Sequence, residues 1–121
     1  MAIVLYLEDR KLPEKVKLIF KDTLAGKNEL FISAVSLMEI GYLFEKKRID
    51  TSISKVIKLT LENKNFSIQS LDAKTVESAF KIKAIPELHD RLITATASVL
   101  NAKLVTNDPI IQQSGFVETT W

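Results

Sequence analysis

Pro86-Glu87-Leu88-His89-Asp90-Arg91-Leu92-Ile93-Thr94-Ala95-Thr96-Ala97-Ser98-Val99-Leu100-Asn101-Ala102-Lys103-Leu104-Val105-Thr106-Asn107-Asp108 is the stretch that decides how the chain is read. It reads as a helix followed by a short buried strand, with Asp90 at the helix start and Asp108 just past the strand end. In an α/β unit a helix and the strand it feeds run in opposite directions. Ten or so helical residues cover about 15 Å, a distance that the loop and strand can recross. Asp90 and Asp108 are therefore expected at one edge of a sheet, the seed of an acidic site.

The rest of the composition narrows what such a site can be. At 121 residues the chain is expected to be a single domain, 1–121, with one core. Apolar residues make up 46% and charged residues 26%, ordinary for a globular protein. No apolar run approaches the roughly 20 residues that span a bilayer, and no secretory signal stands at the N-terminus. The absence of cysteine excludes disulfides and thiolate metal sites and fits a cytoplasmic location. A net charge of +2 permits nucleic-acid binding without arguing for it. With His89 the only histidine, a bound metal would be held by oxygen, which favours Mg2+ or Mn2+.

Taken in order, residues 2–9 are apolar enough for either a strand or a first helix. Leu12-Pro13-Glu14 opens a helix with Val16, Ile19 and Phe20 on one stripe, and Gly26-Lys27-Asn28 breaks it. Leu30-Phe31-Ile32 reads as a buried strand ending at Ser33. A helix from about Ser36 to Lys47 follows, with Leu37, Ile40, Gly41 and Phe44 expected to be buried. A second covers 54–63, with Val56, Ile57, Leu59 and Thr60 clustered for burial. Phe66-Ser67-Ile68-Gln69 alternates as a peripheral strand. The helix at 72–83 takes Asp72 as its N-cap and places Ala73, Val76 and Phe80 on one face. A helical turn begins at Asp108-Pro109, and Phe116-Val117-Glu118-Thr119 forms a last strand. Alternating strands and helices indicate an α/β domain with a mostly parallel sheet, whose crevice lies beyond the carboxyl ends of the strands.

Glu39 is the anomalous residue, a carboxylate between Leu37, Met38 and Ile40 with Val35 and Leu43 one turn away. It either reaches solvent from the boundary or serves a site at the active edge. Asp90 could simply cap its helix or complement the dipole. Asn-Asp-Pro at 107–109 is equally natural as an N-cap followed by proline at the first helical position. Three acids at one edge would repel unless a divalent cation or bound protons neutralise them. Thr106 and Asn107 could hold a metal-bound water or a phosphate, or could satisfy the turn. Arg91 could contact phosphate or pair with a carboxylate. His89 reads as a loop residue, and Lys46-Lys47-Arg48 as a solvated helix end.

Three segments in this order resemble the PIN-domain nucleases, in particular the VapC-like toxins of toxin–antitoxin pairs. They are Phe31-Ile32-Ser33-Ala34-Val35-Ser36-Leu37-Met38-Glu39-Ile40, His89-Asp90-Arg91-Leu92-Ile93-Thr94-Ala95-Thr96-Ala97, and Leu104-Val105-Thr106-Asn107-Asp108. Tyr6 to Pro13 also looks like the segment joining the family's first two helices. The resemblance implies a PIN-like three-layer α/β domain, its mostly parallel central sheet flanked by helices. It implies an endoribonuclease dependent on magnesium or manganese, neutralised by a protein antitoxin and forming a homodimer. Glu39, Asp90 and Asp108 match three of the family's four acids, with Thr106, Asn107 and Arg91 in support. The fourth acid ends a first strand in the family. Residues 1–7 align best with the helix after that strand, so strand and acid are expected to be absent from 1–121. The competing alignment makes residues 2–7 the strand, with Tyr6 at the acidic position and Glu8 or Asp9 displaced from it. Two rival readings remain: a catalytically impaired PIN-like binding module, and a phosphohydrolase acting on small phosphate esters.

Overall fold

Helices dominate, because apolar residues recur at helical spacing and few glycines or prolines interrupt them. The computed structural model describes all 121 residues, in two compact units, Met1–Gln69 and Ser70–Trp121. The first contains α1 (Ala2–Leu7), α2 (Glu14–Leu24), β1 (Leu30–Ser33), α3 (Ala34–Glu45), α4 (Ile53–Glu62) and β2 (Phe66–Gln69). The second contains α5 (Ala73–Ala79), α6 (Leu88–Val99), β3 (Leu104–Val105), α7 (Pro109–Ser114) and β4 (Thr119–Thr120).

Both sheets are two-stranded and parallel, one in each unit. β1 pairs with β2 in a register running from Leu30 opposite Phe66 to Ser33 opposite Gln69. α3 and α4 form the crossover between them, as parallel pairing requires. β3 pairs with β4 over two positions, Leu104 with Thr119 and Val105 with Thr120. The last strand therefore lies further along than 116–119, and Phe116 is exposed outside it. Gly115 adopts φ +73 to end α7, a turn that delays the strand.

Residues 2–7 are a helix, so the alignment that made them a strand with Tyr6 at its acidic end fails. The Tyr6 ring instead stacks on Phe20 at 4.3 Å, and Phe20 lies 6.5 Å from Phe66. Phe20 and Phe66 are almost fully buried, worth about 2 kcal/mol each in transfer free energy. This stack ties α1, α2 and β2 together. Val16 is buried on the same side of α2.

Glu8, directly after α1, is committed as well. Its Oε2 accepts the Thr51 hydroxyl at 2.6 Å and the backbone N–H groups of Thr51 and Asp50 at 3.0 and 3.1 Å. Arg10 stands 3.6 Å from Oε1. The Thr51 hydroxyl, then the two backbone donors and Arg10, hold Glu8 below the ordinary carboxylate pKa against the opposing effect of burial. The carboxylate fastens α1 to the segment between α3 and α4.

α3 begins at Ala34 rather than Ser36, because Ser33 acts as its cap and accepts the Ser36 N–H at 3.0 Å. Its buried residues are Val35 and Ile40, whereas Phe44 is exposed. On α4 only Val56 is buried, and Ile57 faces solvent. On α5, capped by Asp72 as expected, Thr75 and Ala79 are buried while Val76 and Phe80 are exposed. The helix also ends at Ala79, well short of residue 83. Periodicity located an apolar face on each helix but not which side a neighbour would cover. The core of the second unit is Ala79, Ile82, Ile85, Ala95 and Ile111, with Leu92 and Leu104 packed against it.

Candidate active site

Glu39 is the sixth residue of α3 and is half-buried. Burial keeps the Met1 amino group below its ordinary pKa, and the Glu39 charge acts on that group in the opposite sense. The Glu39 carboxylate is thus within electrostatic reach of the start of α1. It leaves the C-terminal end of β1 on the helix that β1 feeds, as its spacing from Ser33 predicts.

Asp90 is the third residue of α6 and its one first-turn acid, where a carboxylate complements the helix dipole. It is not the cap. Glu87 is, through Oε2, which accepts the Asp90 N–H at 2.7 Å. The other Glu87 oxygen meets His89 Nδ1 at 2.9 Å, on the protein surface. Burial pushes the Glu87 pKa up, but the Asp90 and His89 backbone donors and the His89 ring outweigh it, and the net direction is down. Glutamate is an uncommon capping residue, so sequence reasoning overlooked Glu87.

Asp108 is the N-cap of α7. Its Oδ1 accepts the Ile110 N–H at 2.8 Å and the Ile111 N–H at 3.3 Å, with Pro109 in the first turn. The structural role foreseen for Asn-Asp-Pro is real. It does not exhaust the carboxylate, which offers about four lone-pair sites on two oxygens.

The supporting residues divide. Thr106 serves the turn: its hydroxyl accepts the Asp108 N–H at 3.1 Å, and its carbonyl accepts Gln112 Nε2 at 3.1 Å. Asn107 is exposed beside it. Arg91 donates from Nε to the Ile85 carbonyl and pins the chain entering α6. Leu92 and Ile111 belong to one apolar cluster, which packs the N-terminal half of α6 near the start of α7. Asp90 and Asp108 both belong to the second unit, whereas Glu39 belongs to the first. In neither unit do three histidine, aspartate or glutamate side chains gather closely enough to hold a metal ion.

Parallel strand pairs linked by helices make this an α/β protein. The chain belongs to the PIN-domain family, whose family model it matches over residues 2–116. PIN domains are generally nucleases and typically use divalent metals. No curated protein matches the chain. No helix is long and apolar enough to cross a membrane.

Proposed function

We propose that this chain is a VapC-like endoribonuclease that hydrolyses RNA phosphodiester bonds with Mg2+ or Mn2+ in the cytoplasm, and that a protein antitoxin neutralises it. The observation that carries the reading is the PIN match, which runs through both units. It also supports reading residues 1–121 as one PIN-like domain, which we propose acts as a homodimer. Glu39, Asp90 and Asp108 supply only oxygen, a donor type that suits a hard cation, whereas no three such groups gather within either unit. Asp90 and Asp108 would hold the metal, and Glu39 would complete its shell or orient the attacking water. A bound cation supplies a lowered water pKa and offsets charge on the leaving oxygen. Asp108 keeps its carboxylate directed by the cap bonds from Ile110 and Ile111. Glu87 takes over the capping of α6, so that helix does not rely on Asp90 for it.

RNA cleavage with Mg2+ or Mn2+, compared between the parent, Asp90→Asn and Asp108→Asn, tests the assignment. Each variant is expected to lose about a hundredfold or more, the scale of removing one electrostatic element from an active site. Activity that survives both changes sinks it.

A second reading, a PIN-like binding module without catalysis, is favoured by one observation. Tyr6 is stacked in the core and Glu8 is bound to Thr51, so neither serves as the family's fourth acid. Titration calorimetry separates the two: saturable Mg2+ or Mn2+ binding supports the nuclease, and its absence supports the module.

A further inference from the structure

His89 is the second residue of α6, directly before Asp90. Its Nδ1 meets Glu87 Oε1 at 2.9 Å, while 60% of the side chain stays in solvent. Exposed charged pairs of this kind contribute little to stability, so the contact does little for the fold. What it does is fix the ring. The partner is itself fixed, because the other Glu87 oxygen accepts the Asp90 N–H at 2.7 Å as the N-cap of α6. A carboxylate held by the backbone through one oxygen offers the imidazole a preorganised acceptor through the other.

The acceptor also places the proton. An ionised carboxylate only accepts, and the Glu87 pKa lies below its ordinary value, so Nδ1 carries the hydrogen. Nε2 lies across the ring from that contact. It accepts when the ring is neutral and donates when the ring is protonated. A hydroxyl answers both states, because it donates and accepts, whereas a phosphate oxygen answers only the second. Adjacent Cα atoms are about 3.8 Å apart, so the ring is anchored beside the carboxylate assigned above to the metal. The hydroxyl that an RNA strand offers nearest its phosphates is the ribose 2′-OH, the group that separates RNA from DNA. We infer that His89 binds the ribose 2′-OH beside the scissile phosphate and gives the protein a preference for RNA over DNA, with Glu87 as the residue that positions the ring. The inference rests on the nuclease reading and deepens it.

Cleavage by the whole chain with Mn2+ tests it, on an RNA oligonucleotide and on the same strand carrying a single 2′-deoxynucleotide beside the cut. The parent is expected to cleave the RNA strand about tenfold faster, the scale of one hydrogen bond. His89→Phe keeps an aromatic ring without its nitrogens and is expected to bring the ratio near one, by losing rate on the RNA strand alone. His89→Gln, whose amide both donates and accepts, should keep part of the preference. Glu87→Ser caps the helix but cannot hold the ring, so it should lower the ratio while the circular dichroism stays that of the parent. A ratio unchanged in His89→Phe, or an equal loss on both strands, overturns the inference and leaves the nuclease reading standing. A parent that cleaves neither strand overturns the nuclease reading, and this inference falls with it.

Discussion

The first unit and the second use their carboxylates in opposite ways. In the first, Glu8 is spent on architecture: three donors from Thr51 and Asp50 converge on one oxygen, and its side chain is only 12% exposed. In the second, acids stand at helix starts, where they meet backbone N–H groups and keep lone pairs for other partners. Glu87 caps α6 and Asp108 caps α7. An acid enclosed by donors holds a structure together, whereas an acid at a helix start can do that and still face a ligand.

The sharpest way to break that contrast is to separate the two roles of Asp108. Serine caps a helix about as well as aspartate but is a poor metal ligand. Asp108→Ser is expected to keep the unfolding midpoint of the parent while losing about a hundredfold or more in RNA cleavage. A stability loss that matched the activity loss would make Asp108 purely structural.

Next in size is Glu8→Ala, which leaves the fully buried Thr51 hydroxyl and N–H without their acceptor. It is expected to destabilise the protein by about 2 kcal/mol in urea denaturation, the cost of stranding buried donors. Glu8→Gln, which retains an acceptor, should lose less.

The same carboxylate sets a pH dependence. Its folded-state pKa lies below the unfolded value, so the native state binds fewer protons than the unfolded chain. Its contribution is fully present above the ordinary glutamate pKa near 4.5 and is lost as pH falls through the lower folded value. The parent should therefore lose stability with falling pH more steeply than Glu8→Gln, in urea midpoints measured downward from pH 5.

The smallest effect concerns Thr94 in α6, whose hydroxyl is buried with no hydrogen-bond partner. Thr94→Val keeps the shape and removes the unsatisfied group. It is expected to change stability by no more than about 1 kcal/mol, toward the stable side.

Much of this architecture could be read from residues alone. Most of the elements announce themselves through strand composition or helical spacing, and Asp72 and Asp108 cap helices as their neighbours suggest. Residues 2–7 were undecidable because six apolar residues satisfy both periods, and only Phe20 and Phe66 show what Tyr6 packs against. α3 begins two residues before Ser36, because Ser33 is its cap. Phe44 and Ile57 are exposed where their stripes predict burial, because a periodic stripe says nothing about its partner. Among the site residues, the helix positions of Glu39, Asp90 and Asp108 were legible, as was the capping by Asp108. The Glu8–Thr51 contact was not, because it joins residues 43 positions apart with no pattern between them.

The parallel pairing in the first unit also bears on how quickly the chain can fold. Leu30 must find Phe66, 36 positions away, whereas Leu104 finds Thr119 after only 15. The longer closure costs about 0.8 kcal/mol more in chain entropy, by the logarithmic dependence on loop length. Its return is a ladder of four paired positions rather than two. Contacts so distant in sequence slow the search for the native state. The β1–β2 ladder should accordingly set the folding rate, with the aromatic stack on Phe66 closing behind it.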